Sequence, residues 1–292
     1  MTELDFEALR RIRACDPPAI GAALEKRTRR PLLRGDNRLF IIAADHPARG
    51  ALGVRRDDMA MADRYDLLSR LALALRHPGV DGLLGTPDLV EDLALMGALE
   101  DKIVAGSMNR GGLKSAVFEM DDRFTAYDVE AIRNARLDFA KLLVRINLGD
   151  AGSVRTLEAA AEMVGRAAKL KLPIMIEPFM SDWVDGSIRN DLSANAVIKS
   201  IAIASALGTT SAYSWLKLPV VPEMDRVMKS TTLPTLLLGG DPLGESEQVY
   251  STWESALSLP GVHGLVVGRT LLYPKDGDVL GAVDRAARMV HR

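Results

Sequence analysis

Residues 213–222 read Tyr-Ser-Trp-Leu-Lys-Leu-Pro-Val-Val-Pro, an apolar run that holds one lysine, Lys217, and ends at proline. Such a run predicts a buried strand. An unpaired ammonium group is costly to bury, so a lysine in this position tends to lose its proton near neutral pH. A neutral amine in a dry pocket is what carbonyl chemistry through a Schiff base requires. The alternative is a Lys217 at the strand mouth that extends its amine to water.

Apolar strands recur on both sides of this stretch, and amphipathic helices alternate with them. The predicted strands are 39–44, 82–84, 103–105, 142–146, 173–176, the Lys217 strand, 233–238 and 264–267. The predicted helices cover 59–76, 87–99, a segment ending near 135, 153–169, 192–207, 245–257 and a segment ending near 291. Eight strand–helix repeats predict an α/β fold, a (β/α)8 TIM barrel. A doubly wound open sheet is the alternative, and the lack of Gly-x-Gly-x-x-Gly after the first strand disfavours it.

The chain shows no composition shift or linker, so we expect residues 1–292 to form a single barrel domain. Residues 1–36 precede the first strand and form a predicted N-terminal helical extension, broken at Asp16-Pro17-Pro18. The basic run at residues 26–30 is more typical of a solvated face or a helix end than of a binding patch.

Net charge, cysteine content and the length of apolar runs limit the classes of function that the chain can have. The net charge of −2 gives no overall field for nucleic acid or an anionic membrane. Cys15 is the one cysteine, which suits a reducing compartment. No apolar signal core and no run of 18 apolar residues occur, so we expect a cytoplasmic protein without a membrane span.

Barrel enzymes place their chemistry at the carboxyl ends of the strands, and several polar residues fall there. Asp45 follows the first strand and is either a general acid/base or a turn residue before proline. His46, beside it, is more typical of a structural histidine. Glu177 ends the fifth strand, which favours an acid/base role over a buried salt bridge with a lysine.

Other charged residues have two interpretations each. Lys141 begins the fourth strand and either faces water or points into the barrel, where a second cation lowers the pKa of Lys217. Arg110 and Arg145 are candidates to receive a substrate carboxylate. The acidic segment 119–123 favours a solvated loop over a metal site, and no His-Glu-x-x-His spacing occurs.

Glycines follow the last two strands, where barrels commonly bind phosphate. Gly239 and Gly240 come after one strand, and Gly268 and Arg269 after the next. Glycines let backbone N–H groups approach phosphate oxygens, and an arginine fork suits the same group. The sequence therefore predicts an anion-binding cradle, with tight turns as the alternative.

On these residues the chain resembles the class I, Schiff-base aldolases of the (β/α)8 superfamily: deoxyribose-phosphate, archaeal-type fructose-bisphosphate and tagatose-bisphosphate aldolases. The resemblance spans residues 39–273 and rests on Ala44-Asp45-His46, Met175-Ile176-Glu177-Pro178, Trp215-Leu216-Lys217-Leu218-Pro219, Leu238-Gly239-Gly240 and Val266-Val267-Gly268-Arg269. It implies that Lys217 forms the imine. The tagatose-bisphosphate branch implies Glu177 as acid/base and a strand-four lysine that Lys141 matches. The fructose-bisphosphate branch uses a tyrosine on strand five, and this chain has Phe179 near that position instead. The difference favours glutamate as the proton carrier.

The residues and the resemblance together predict a carbon–carbon lyase that cleaves a phosphorylated keto sugar or sugar acid without a metal or other cofactor. Similarity to actinobacterial-style barrels of inositol breakdown suggests 5-dehydro-2-deoxy-6-phosphogluconate as the substrate. The family also implies a homo-oligomer. A transaldolase, a phosphosugar isomerase or epimerase, and a non-catalytic phosphosugar sensor remain as alternatives.

Overall fold

A closed parallel β-barrel is the centre of the computed structural model, which describes residues 5–240 and 246–291. The strands of these residues are β1 Leu39–Ala43, β2 Gly82–Gly85, β3 Ile103–Ser107, β4 Phe139–Ile146, β5 Ile174–Val184, β6 Ser187–Asn190, β7 Ser214–Pro219, β8 Thr235–Leu238 and β9 Val262–Val267. Around the barrel the order is β1-β2-β3-β4-β5-β7-β8-β9, and β9 pairs with β1 again. The predicted (β/α)8 fold is therefore confirmed.

Helices surround the barrel and precede it. They are α1 Phe6–Cys15, α2 Pro18–Lys26, α3 Arg64–Leu75, α4 Pro87–Leu95, α5 Val129–Asn134, α6 Gly152–Lys169, α7 Ala194–Ser205, α8 Met224–Met228, α9 Ser246–Leu257, α10 Arg269–Leu272 and α11 Val279–Val290. The predicted N-terminal helices are present as α1 and α2. The predicted start of α9 at residue 245 lies outside the described residues. None of the described helices has the length and apolar character needed to cross a membrane.

Capping explains one displaced boundary. The helix predicted from residue 59 begins instead at Arg64, because the Asp63 side chain accepts hydrogen bonds from the backbone N–H groups of Tyr65 and Asp66. These bonds satisfy donors that lack partners within the helix. By contrast, α8 after β7 was not predicted, since five residues are too few to show a helical period.

The barrel strands bury both faces. Alternate side chains such as Ile41, Phe139, Met175 and Trp215 fill the barrel interior. Their neighbours, such as Ile42, pack outward against the helices. Burial on both faces explains why these strands are continuously apolar instead of alternating.

Strand β5 continues past the barrel and returns as β6, which the sequence did not predict. Ser181 to Val184 pair antiparallel with Ser187 to Asn190, and we call residues 181–190 the rim hairpin. Trp183 Nε1 donates a 2.6 Å hydrogen bond to Asp150 Oδ2. The hairpin was missed because its exposed, polar residues interrupt the apolar pattern.

The basic run at residues 26–30 is in part buried, which corrects its interpretation as a solvated face or helix end. Arg27 is 2% exposed and donates to the Lys102 carbonyl oxygen at 2.7 Å and to Asp138 Oδ2 at 3.1 Å. Arg30 is also buried and pairs with Asp81. Buried guanidinium groups need such partners. The segment closes the amino-terminal end of the barrel, where Leu32 packs against the interior side chains.

We predict that His291 stabilises the fold in a pH-dependent way. A hydrogen bond with Asp81 (3.1 Å), outweighing burial, and one with Asp36 (2.5 Å) raise the pKa of His291 to about 9. Since the unfolded value is about 6.5, this stabilisation is complete below pH 6.5 and is lost as pH rises through 9. The melting temperature of His291→Gln should therefore fall below the wild-type value at pH 6, with a gap that closes near pH 10. A gap that does not depend on pH would contradict this assignment.

Candidate active site

Four charged side chains meet inside the barrel near the carboxyl ends of its strands. Lys217 Nζ lies 2.8 Å from Glu177 Oε1, and Lys141 Nζ lies 2.8 Å from Glu177 Oε2. Lys141 Nζ also donates a 2.8 Å hydrogen bond to Asp45 Oδ2. We call Asp45, Lys141, Glu177 and Lys217 the charged cluster. The charged cluster brings together the four residues that the sequence analysis named as catalytic candidates.

Strand register explains how the cluster forms. Lys141 lies on β4, Glu177 on β5 and Lys217 on β7, which are consecutive strands of the barrel. In the pairing of β4 with β5, Glu177 is opposite Leu143 and Lys141 is opposite Met175. Lys141 therefore lies one layer of inward-facing side chains deeper in the barrel than Glu177. Lys217 lies one step beyond the pair formed by Ile176 and Leu216. Because successive side chains of a strand point to opposite faces, these positions direct all three side chains toward the barrel axis.

Lys217 is held where the neutral amine is favoured. The residue is 4% exposed, and its burial lowers the pKa below the ordinary value of a lysine. Glu177 acts in the opposite direction, whereas the positive charge of Lys141 lowers the pKa further. The result is a buried amine with a depressed pKa beside a carboxylate, which is the environment of an activated nucleophile.

The rest of the cluster stays ionised. Burial lowers the pKa of Lys141, but Asp45 and Glu177 outweigh it, so the pKa lies above its ordinary value. Burial would raise the pKa of Glu177, yet Lys141 and Lys217 bring it down to about 2. The pKa of Asp45 is likewise lowered, because Lys141 and His46 overcome the effect of burial. Lys141 therefore points into the barrel and serves as the permanent counter-ion of both carboxylates.

Breaking this buried network should destabilise the fold. In Lys141→Met two buried carboxylates lose their shared ammonium, which typically costs about 3–5 kcal/mol. Urea unfolding should show a loss of that size. The matched control is Lys229→Met, since Lys229 is exposed and pairs with the exposed Asp225; it should change stability by less than about 0.5 kcal/mol. Equal stabilities of the two variants would contradict the assigned role of Lys141.

A cavity of about 560 Å³ lies above the charged cluster. All four cluster residues line it, and so do Gly239, Gly240, Gly268, Arg269 and Arg110. Arg145 is absent from the lining because it is buried beside Glu119 and forms an ion pair with it. Arg145 is therefore not placed to receive a substrate carboxylate in this arrangement.

Two further arginines line the cavity and were not anticipated. Arg49 ends the 3₁₀ turn His46–Arg49 that follows β1, and Arg189 lies on the rim hairpin. Neither residue belongs to an apolar strand or a glycine motif, so the sequence carried no signal for them. They add positive charge to a cavity whose acidic lining side chains, among the described residues, are Asp45 and Glu177.

The glycines after β8 and β9 have structural reasons of their own. A Cβ atom on Gly268 would lie 2.0 Å from the Ala43 carbonyl oxygen, so only glycine allows this approach of β9 to β1. Gly240 has a φ of +68°, in the left-handed region that favours glycine. Close packing and turn geometry thus account for both residues, and phosphate binding at them stays a prediction.

His46 lines the same cavity in its neutral form. Burial lowers its pKa to about 3, despite the opposing effect of Asp45. Its Nδ1 is buried and has no hydrogen-bond partner among the described residues. A neutral imidazole next to Asp45 offers a hydrogen-bonding group to a ligand hydroxyl.

The acidic segment 119–123 is not the solvated loop that we expected. Glu119 and Asp122 are buried, and Asp122 Oδ2 accepts hydrogen bonds from Asn109 Nδ2 and the Gly111 N–H, both at 2.8 Å. Burial raises the pKa of Asp122. Within residues 5–240 and 246–291, no group of three or more potential metal ligands is arranged to hold an ion. The segment instead fixes the loop between β3 and α5.

The (β/α)8 fold is similar to that of solved Schiff-base aldolases. A Schiff-base-forming fructose-1,6-bisphosphate aldolase superposes with a TM-score of 0.64 at 18% identity, over 93% of this chain and 100% of the other. An archaeal fructose-1,6-bisphosphate aldolase, with its catalytic lysine bound to the carbinolamine intermediate of the substrate, gives 0.65 at 18% identity, over 93% and 99%. At this identity the similarity establishes the fold alone.

The chain belongs to the Cgl0159-like family, whose model matches residues 37–287. The crystal structure of Cgl0159 from Corynebacterium glutamicum is 62% identical and superposes with a TM-score of 0.96, over 98% of this chain and 96% of the other. A search of curated proteins gives no match.

Proposed function

We propose that the protein is a class I aldolase that cleaves a phosphorylated keto sugar or sugar acid through a Schiff base on Lys217. The observation that carries the proposal is the buried, 2.8 Å contact of Lys217 Nζ with Glu177, below an open cavity. Burial and the neighbouring Lys141 favour the neutral amine, which is the form that attacks a carbonyl.

The reaction begins with attack of the Lys217 amine on the substrate ketone. A carbinolamine forms and loses water to give an iminium cation, which accepts electrons more readily than the ketone does. Glu177, within reach of Lys217, is placed to transfer the protons that this dehydration needs. Lys141 keeps its own proton because two carboxylates hold it.

Cleavage then follows from proton removal at the hydroxyl one carbon beyond the bond that breaks. In this proposal Glu177, with Asp45 across the barrel, accepts that proton. The electron pair of the carbon–carbon bond moves into the iminium, an aldehyde leaves, and an enamine remains on Lys217. Protonation of the enamine carbon and hydrolysis release the ketone and restore the amine.

Phosphate binding in this proposal falls to Gly239, Gly240, Gly268 and Arg269. All four line the cavity. Gly239 and Gly240 follow β8, which neighbours the Lys217 strand β7, and Gly268 and Arg269 follow β9, one strand further around the barrel. A phosphate held there by backbone N–H groups and a guanidinium would orient the carbonyl toward the amine.

A substrate panel tests the function. Phosphorylated keto sugars and sugar acids, including 5-dehydro-2-deoxy-6-phosphogluconate, are incubated with the protein in the presence of a strong chelator, and released aldehyde is measured. Cleavage that survives chelation supports the proposal. Loss of cleavage on chelation would indicate a metal-dependent aldolase. Isomerised substrate with no released aldehyde would indicate an isomerase on the same barrel.

A further inference from the structure

Apolar side chains form one half of the cavity wall beside and above the charged cluster. Strands β4, β5, β7 and β8 are consecutive in the barrel. Apart from the charged cluster, the residues of these strands that line the cavity are Leu143, Phe179, Pro219 and Leu238. We call these four residues the apolar wall. By contrast, the cavity residues that follow β9, β1 and β3 include Arg269, His46 and Arg110.

The apolar wall is continuous and held in place. Leu143, Phe179 and Leu238 are buried and form one apolar cluster. The Leu143 N–H donates a 2.9 Å hydrogen bond to Asn109 Oδ1, and Asn109 Nδ2 donates a 2.7 Å hydrogen bond to the Leu143 carbonyl oxygen. Pro219 has no N–H group. The wall therefore presents hydrocarbon to a ligand, without a spare N–H at Leu143 or Pro219.

Two residues of the apolar wall flank Glu177. Leu143 is opposite Glu177 in the pairing of β4 with β5. Phe179 lies two residues further along β5, so its side chain points the same way, one layer nearer the cavity mouth. All three residues line the cavity. A ligand group that exchanges a proton with Glu177 therefore lies next to a hydrophobic surface.

The order of strands gives the direction in which a bound substrate extends. The proposed phosphate loops follow β9 and β8, Lys217 lies on β7, Glu177 on β5 and Leu143 on β4. In the proposed aldolase reaction, on which this inference rests, the ketone carbon is at Lys217 and the aldehyde carbon of the cleaved bond is at Glu177. The carbon after the aldehyde carbon then lies against Leu143 and Phe179.

We propose that the apolar wall selects a leaving aldehyde whose carbon next to the carbonyl carries no hydroxyl group. A hydroxyl group at that carbon would lose hydrogen bonds to water and gain none from the wall, whereas a methylene or methyl group would gain apolar contact. Apolar pockets reject an added hydroxyl group by up to about 100-fold. The substrate class is thus a phosphorylated ketone with a methylene or methyl carbon beyond the cleaved bond, unlike a sugar with a hydroxyl group at that carbon.

Condensation in the reverse direction tests the wall with two aldehydes that differ by one hydroxyl group. Dihydroxyacetone phosphate supplies the enamine, and propanal or either enantiomer of lactaldehyde accepts it. The enamine carbon bonds to the aldehyde carbon, the aldehyde oxygen takes up a proton, and hydrolysis of the iminium restores the Lys217 amine. The kcat/KM of wild-type protein should be about 10–100-fold higher for propanal than for lactaldehyde. Phe179→Tyr and Leu143→Asn each add a hydrogen-bonding group to the wall and should lower this ratio about three- to tenfold.

Phe118→Tyr is the matched control, because Phe118 is exposed on the loop between β3 and α5 and lies outside the lining of this cavity. Its ratio should equal that of the wild type. Comparison of ratios between variants cancels the unequal intrinsic reactivity of the two aldehydes. A wild-type protein that prefers lactaldehyde, or a ratio that neither wall variant changes, would overturn the proposed selectivity.

Hydrogen exchange separates this selectivity from the aldolase proposal. The carbon-bound hydrogen of the hydroxymethyl group of dihydroxyacetone phosphate is followed by NMR in deuterium oxide, with no aldehyde present. Exchange that depends on Lys217 shows the enamine, and with the expected preference for propanal it supports the selectivity. Exchange without that preference would retain the aldolase and reject the selectivity. No exchange would contradict the proposed enamine, and the assigned class of aldehyde would fall with it.

Discussion

Replacing Lys217 with methionine is expected to lower the cleavage rate by at least about 10⁴-fold, or about 5.5 kcal/mol of transition-state free energy. Methionine keeps the length and apolar stem of the side chain but cannot form an imine. The remaining cluster still pairs Lys141 with Asp45 and Glu177. Steady-state rates measured with the best substrate of the panel would show the loss.

The control is Lys229→Met, which removes an exposed lysine and should leave the rate within twofold of wild type. Circular dichroism and unfolding curves establish that both variants are folded. A folded Lys217→Met that retains a tenth or more of the activity would show that the cleavage does not pass through this amine.

Glu177→Gln is expected to lower the cleavage rate by about 10²–10⁴-fold, the usual contribution of a placed acid/base group. Glutamine preserves the shape of the side chain but does not accept a proton. Because Glu177 raises the pKa of Lys217, its removal should lower that pKa further and leave the amine neutral at lower pH. The acid limb of imine formation should therefore shift to lower pH, while the maximum rates of imine formation and of turnover both fall, because Glu177 carries the protons of both steps.

Stopped-flow measurement of imine formation across pH, beside steady-state turnover, separates these two effects. Glu247→Gln, at an exposed ion pair with Arg285, serves as the matched control and should alter neither. A Glu177→Gln variant that turns over normally would move the proton transfer to Asp45. An acid limb shifted to higher pH would contradict the assigned electrostatics.

The barrel could be predicted from the sequence because its strands are apolar on both faces and recur with helices between them. The rim hairpin could not, since most of its residues are polar and lie at least partly exposed, and their pairing depends on the extension of β5. The buried Arg27 and Arg30 were misjudged for a related reason. A basic run reveals nothing about Asp138 and Asp81, which lie far along the chain and make its burial tolerable.

Some residues of the candidate site could likewise be predicted from the sequence, and others could not. Lys217 and Glu177 were identifiable because a charge after apolar positions of a strand has a predictable place in a barrel. The direction of Lys141 depended on where β4 begins, and β4 begins at Phe139 instead of the predicted residue 142, which places Lys141 inside the strand. Arg145 was assigned from charge alone, whereas its partner Glu119 lies in a loop whose path the sequence does not reveal.

Borohydride trapping tests the central claim most directly. The protein is incubated with a cleavable substrate and sodium borohydride, digested, and analysed by mass spectrometry. We predict a reduced covalent adduct on Lys217, none on Lys141, and none in Lys217→Met. An adduct on another lysine, or cleavage with no adduct at all, would contradict it.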